Sequence, residues 1–126
     1  MFVAAFSGFS VDDLSKAKEF YTSILGVQLE DEKMGLQFIL PGGGKLFIYD
    51  KPNHTPATYT VLNFVVESID KSVDELVAKG IKFEQYNMKD MPQDEKGIAR
   101  GKAANMGPDI AWFRDPAGNI LSLIEN

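Results

Sequence analysis

The chain contains no cysteine. That absence removes a disulfide framework, a thiolate metal site and a cysteine nucleophile together. Histidine is nearly absent as well: His54 is the only one, and Trp112 is the only tryptophan. No apolar run approaches the ~20 residues that a membrane-spanning helix needs. The opening Met1-Phe2-Val3-Ala4-Ala5-Phe6-Ser7 lacks the basic region and long apolar core of a secretory leader. Positive charge is in short supply, with 13 Lys and Arg against 18 Asp and Glu, a net charge of −5. A surface of that sign disfavours nucleic acid and anionic membranes. A soluble cytoplasmic protein is the expectation. Phosphate-loop chemistry is missing too, because Pro41-Gly42-Gly43-Gly44 joins two expected strands instead of opening a helix. One loop histidine also makes no Ser-His-Asp arrangement.

What is present is a repeat. Over 126 residues, 44% apolar and 25% charged, the chain has the composition of one ordinary globular domain able to bury a core. Phe6-Ser7-Gly8-Phe9-Ser10-Val11 leads through Asp12-Asp13-Leu14 into a helix-like run that stops at Gly26. Val61-Leu62-Asn63-Phe64-Val65-Val66 leads through Glu67-Ser68-Ile69 into a second such run that stops at Gly80. Val27-Gln28-Leu29-Glu30 and Ile81-Lys82-Phe83-Glu84 follow the two glycines. Internal repetition of this kind is a fold signal in its own right.

Each half reads as strand, helix, then three strands, an α+β arrangement of two βαβββ modules (about residues 1–52 and 57–126). In the first, a strand over 2–10 is followed by a helix capped by Asp12 or Asp13, with Leu14, Ala17, Tyr21, Ile24 and Leu25 at helical spacing. Strands are expected near 27–31, 36–40 and 45–50. In the second, a strand over 58–66 precedes a helix capped by Ser68, whose apolar face is Ile69, Val73, Leu76 and Val77. Strands at 81–86, 109–114 and 119–125 complete it. Residues 87–108, polar and glycine-containing, break the symmetry and read either as a surface excursion or as an active-site lid.

These residues resemble the vicinal oxygen chelate superfamily, which includes glyoxalase I, bleomycin-resistance proteins and extradiol dioxygenases. The resemblance is carried by Val11-Asp12-Asp13-Leu14, Phe20-Tyr21 and Ile24-Leu25-Gly26 in the first half. In the second it is carried by Val66-Glu67-Ser68-Ile69-Asp70, Gly80 and Ala111-Trp112-Phe113-Arg114-Asp115-Pro116-Ala117-Gly118-Asn119. It implies that the two modules form a concave, incomplete eight-stranded barrel with helices outside and a ligand cavity within. It also implies a homodimer paired through opening strands, here Phe2-Val3-Ala4-Ala5-Phe6. Enzymes of the family hold a divalent metal on His, Glu or other oxygen ligands. The equivalent positions here are Phe6, Phe47, Val61 and Ser122, none of them His, Asp or Glu. Asp50, Asp109, Asp115 and Glu125 sit at strand ends, where solvated carboxylates are expected, and His54 reads as a solvated linker residue. Glu30 and Glu84, equivalent after the two helices, read as edge charges. No metal and no cofactor are expected.

Strand alternation then assigns the faces. With Phe6 and Val61 inward, Gly8, Ser10, Asn63 and Val65 follow; Phe47 brings Tyr49, and Ser122 brings Ile120 and Ile124. Phe9, Val11, Leu46, Ile48, Leu62, Phe64, Val66, Leu121 and Leu123 form the layer under the helices. The candidate ligand-binding set is Phe6, Phe47, Tyr49, Val61, Asn63, Trp112 and Ser122: aromatic bulk with a few polar tips. Asn63, read as buried, needs a hydrogen-bond partner in a ligand, water or Ser122. Three function classes fit. One is a protein that sequesters or senses an apolar or aromatic small molecule, as bleomycin-resistance proteins do. Another is a lyase, isomerase or dioxygenase-type enzyme with an unrecognised metal or a metal-free acid–base site. The third is an interaction module with a filled cavity.

Overall fold

Both halves fold as βαβββ units in the computed structural model, which describes residues 1–126. The units are Met1–Pro56 and Ala57–Asn126, each with a four-stranded sheet of its own, so the class is α+β. No helix is long and apolar enough to cross a membrane.

In the first unit the strands are β1 (Ser7–Val11), β2 (Gln28–Asp31), β3 (Leu36–Ile39) and β4 (Lys45–Asp50), in sheet order β1-β4-β3-β2. β1 runs parallel to β4, and the other pairs are antiparallel. β1 starts five residues later than the expected strand over 2–10. The cause is its partner: Ser7 pairs with Leu46, one residue from the start of β4, so residues before Phe6 have no strand to join. Met1, Phe2, Val3 and Phe6 are consequently exposed.

α1 (Leu14–Glu19) is capped by Asp13, whose Oδ1 accepts from Lys16 N–H at 3.1 Å. It is shorter than expected. From Phe20 to Ile24 the backbone widens into a π turn, closed by Leu25 N–H to Phe20 O at 3.0 Å. Wider winding turns successive residues through a smaller angle, which lets the adjacent rings of Phe20 and Tyr21 both enter the core. Gly26, at φ +68°, ends the run. Beneath it, Tyr21 packs on Phe38 with ring centroids 5.7 Å apart, and Val11, Leu46 and Ile48 are fully buried.

The second unit has β5 (Thr60–Val65), α2 (Ile69–Ala78), β6 (Ile98–Arg100), β7 (Asp109–Arg114) and β8 (Ile120–Glu125), in sheet order β5-β8-β7-β6. Ser68 Oγ caps α2 by accepting from Lys71 N–H, and Ile69, Val73, Ala111, Phe113, Leu121 and Leu123 form the core. The expected strand over 81–86 is not part of the sheet; one backbone bond, Glu84 N–H to Trp112 O at 2.8 Å, ties that segment to β7. The third place is taken by β6, inside the segment read as a loop, with Ile98 and Ala99 buried and Ile98 paired to Ala111. The Gln93 side chain substitutes for the missing ladder. Its Oε1 accepts from Tyr86 N–H, and its Nε2 donates to Glu84 O and Gly97 O, all within 2.8 Å.

Asp109 and Asp115 are buried, against the expectation of solvated carboxylates. Asp115 is consumed by the turn before β8, accepting from the amides of Ala117 and Asn119 and from Asn119 Nδ2, each at 2.9 Å. Asp109 Oδ1 accepts from Lys102 N–H at 3.0 Å.

Candidate functional site

In each unit the sheet face away from the helix carries the unabsorbed chemistry. In the first, cross-strand pairing lines up Gly8, Phe47, Gln37 and Asp31 in one row, with Ser10 opposite Tyr49 in the next. Gly8 is required where it stands, since a Cβ there would lie 2.9 Å from Phe47 O. Phe47 and Tyr49, two apart on β4, stack at 6.0 Å with ring planes 18° apart, and Phe6 meets Phe47 edge-on at 6.4 Å. These rings border a hollow of about 660 Å³ whose other walls include Asp31, Met34 and Gln37. Phe6 and Tyr49 remain 69% and 38% exposed, much aromatic surface to leave in water.

His54 is not the solvated linker residue the sequence suggests. Lys51 N–H donates to Val11 O and His54 N–H to Lys51 O, folding the segment back on β1. His54 Nδ1 and Ser10 Oγ then share a hydrogen bond of 2.7 Å. Linker composition gave no sign of this contact. Glu30, the extra residue in β2 where Leu29 and Asp31 pair with consecutive residues of β3, is held by Lys45 at 3.2 Å.

The second unit's open face carries Asn63, Ser122 and Trp112 in one row. Ser122 Oγ, fully buried, donates to Asn63 Oδ1. Asn63 itself is exposed, so the expectation of a buried amide is corrected, although Ser122 is its partner. Val61 is also corrected. Thr60 pairs with Ile120 and Leu62 with Leu121, making Val61 the unpaired residue of a bulge, so simple alternation does not carry it inward with Asn63.

Trp112 borders a second hollow of about 390 Å³, with Tyr59, Thr60, Tyr86, Met88 and Ile120. Tyr86 meets Trp112 edge-on at 5.6 Å. Its hydroxyl is buried without a hydrogen-bond partner in the protein. Burial, and secondarily the nearby Glu84 carboxylate, push its pKa above the ordinary phenol value. Glu84 itself pairs with Arg114 Nε at 2.6 Å, which raises the Arg114 pKa. Tyr86 was not among the sequence candidates; it sits at the end of a segment read as an ordinary strand.

Within the first unit Phe6, Phe47 and Tyr49 come together at the first hollow; within the second, Asn63, Ser122 and Trp112 share a row, Trp112 borders the second hollow, and Val61 lies in the bulge. The four positions equivalent to the family's metal ligands do not fit a divalent ion: Phe6, Phe47 and Val61 have no side-chain donor atom, and the Ser122 hydroxyl is engaged by Asn63. The one gathering of acids, Asp70, Asp94 and Asp109, is held by Arg100.

Comparison with known proteins agrees with this fold. The chain is 27% identical over 128 residues to the uncharacterized protein YraH of Bacillus subtilis, covering 90% of each chain. FosX, a genomically encoded fosfomycin resistance protein of Listeria monocytogenes, superposes with a TM-score of 0.70 at 16% identity, covering 100% of this chain and 94% of that one. TnmS3, an antibiotic binding protein from Streptomyces sp. CB03234, superposes with a TM-score of 0.66 at 24% identity, covering 99% and 98%. At these identities the two structures establish a shared fold. The sequence profile of the Glyoxalase/Bleomycin resistance protein/Dioxygenase superfamily matches residues 4–123, and the chain belongs to that superfamily.

Proposed function

We propose that the chain binds an apolar or aromatic small molecule without transforming it, through the hollow of the first unit, and that it works as a cytoplasmic homodimer with no resident metal and no nucleic-acid or membrane partner. The observation that carries the reading is the cluster of Phe6, Phe47 and Tyr49 around an open volume of about 660 Å³, with Gln37 and Asp31 supplying polar groups along the same row. Apolar walls with a few placed polar groups are what small-molecule sites are made of. The fold shared with an antibiotic binding protein supports it. The test uses the neutral fluorescent probe N-phenyl-1-naphthylamine. Saturable binding by the wild type, weakened tenfold or more in Phe47→Ala, is the expected result; equal binding by both proteins would overturn the assignment.

A second reading, a metal-free acid–base enzyme, is favoured by Ser10 and His54. A hydroxyl hydrogen-bonded to an imidazole is a minimal proton-transfer pair. Mass spectrometry of ligand co-purified with the protein separates the two readings: a ligand recovered unchanged supports sequestration, whereas His54-dependent conversion supports catalysis.

A further inference from the structure

We propose that the second unit holds a binding site of its own, at the hollow beside Trp112, for an uncharged planar molecule that offers a hydrogen-bond acceptor to Tyr86. A buried hydroxyl without a partner costs free energy, and phenylalanine would fill the same space without that cost. Tyr86 is nevertheless fixed there, its backbone N–H held by Gln93 Oε1 at 2.8 Å. Directly after it Asn87 adopts φ +52°, a left-handed conformation uncommon outside glycine, and the next residue, Met88, borders the hollow. An unmatched hydroxyl, a left-handed turn residue and a flexible thioether thus fall on three consecutive residues, and the first and third border the hollow.

The chemistry of the wall narrows the ligand. Burial and Glu84 hold the phenol in its protonated form, so it acts as a donor. An anionic acceptor would meet the same desolvation, the dominant effect here since Arg114 offsets the Glu84 charge, which favours a neutral carbonyl or ether oxygen. The Trp112 indole, set edge-on to Tyr86, and the largely exposed ring of Tyr59 offer flat apolar surface. A volume of about 390 Å³ lies at the small end of ligand pockets and suits two fused rings better than a large natural product.

This site goes beyond the function proposed for the first unit and is read by a different signal. Trp112 is the only tryptophan, so its emission reports on this hollow. The probes are 2-acetonaphthone, a neutral ketone, and 2-ethylnaphthalene, which keeps the rings and lacks the acceptor. The ketone should change Trp112 emission saturably, and Tyr86→Phe should weaken it about tenfold while leaving the hydrocarbon's affinity unchanged. The same variant, freed of an unmatched hydroxyl, should unfold at a higher temperature than the wild type without ligand. Ketone affinity unaffected by Tyr86→Phe, no saturable change in emission, or a lowered unfolding temperature would each overturn the proposal. The first hollow is judged by N-phenyl-1-naphthylamine and Phe47→Ala, so either site can fail alone.

Discussion

Gly35 shows how one missing side chain shapes the first hollow. A Cβ at this position would lie 2.7 Å from Ile48 O and 2.8 Å from the Phe47 ring carbon Cζ, contacts that no real side chain makes. Gly35→Ala must therefore push the backbone away from Ile48 O on β4 and also displace the Phe47 ring. Overpacking of this kind costs about 1–3 kcal/mol. Thermal unfolding should show the loss, and N-phenyl-1-naphthylamine should bind more weakly; an unchanged midpoint together with unchanged affinity would show that Phe47 does not depend on Gly35. The sequence fell short at this scale for physical reasons. Alternation placed Phe47, Tyr49 and Ser122 on the open faces because β4 and β8 are regular. It failed at Val61 because a bulge leaves no periodic mark. The Ser10–His54 bond was invisible because it joins a strand to a linker 44 residues away.

Among the elements, α2 shows how charge fixes a helix on its sheet. Arg100, Asp109 and Glu125 pair across β6, β7 and β8, forming the charged end of the helix-covered face. There Glu125 Oε1 accepts from Ile69 N–H at 2.8 Å, and Arg100 forks onto Asp70 with both bonds at 2.8 Å. Acids at a helix N-terminus also suit its dipole. The Arg100 bonds, joined by Lys96, hold the Asp70 carboxyl well below the usual carboxylate range. A carboxylate depressed in the folded state stabilises fully above its unfolded pKa and loses that effect as pH falls through the folded value. Asp70→Asn should therefore lower the unfolding temperature at pH 7. The gap from the wild type should narrow as pH drops below about 4, and it should shrink in high salt because the Asp70 side chain is half exposed. A gap of constant size from pH 7 to about pH 2 would exclude this pair as its source. Helix starts were legible because Asp13 and Ser68 act within one turn of where they stand. β6 was not: Ile98-Ala99-Arg100 is too short to show a period, and its place in the sheet depends on side-chain bonds from Asp94 and Gln93 and on pairing with β7, none of which leaves a mark in the pattern.

At the scale of the whole molecule, the open question is what covers the sheet edges. β1 and β5 each lie at the end of a four-stranded order with one side unpaired. Proteins protect such edges with charge, proline or bulges. Neither Ser7–Val11 nor Thr60–Val65 carries a charged residue or a proline, and the bulge at Val61 protects only the start of β5. Next to these edges the apolar side chains stand in water: Phe2 is 89% exposed, Val3 101% and Val65 69%. A second copy of the chain offers the same uncharged edges, so the proposed self-pairing would satisfy both backbone and side chains by one symmetric contact. Light scattering at micromolar concentration should give twice the 14.0 kDa chain mass. Val3→Lys, which places a charge in the exposed opening segment without touching a buried residue, should shift the mass toward the monomer and leave the unit cores intact by circular dichroism. A wild type that scatters as a monomer would refute the homodimer, and a dimer indifferent to Val3→Lys would move its contact away from the opening segment.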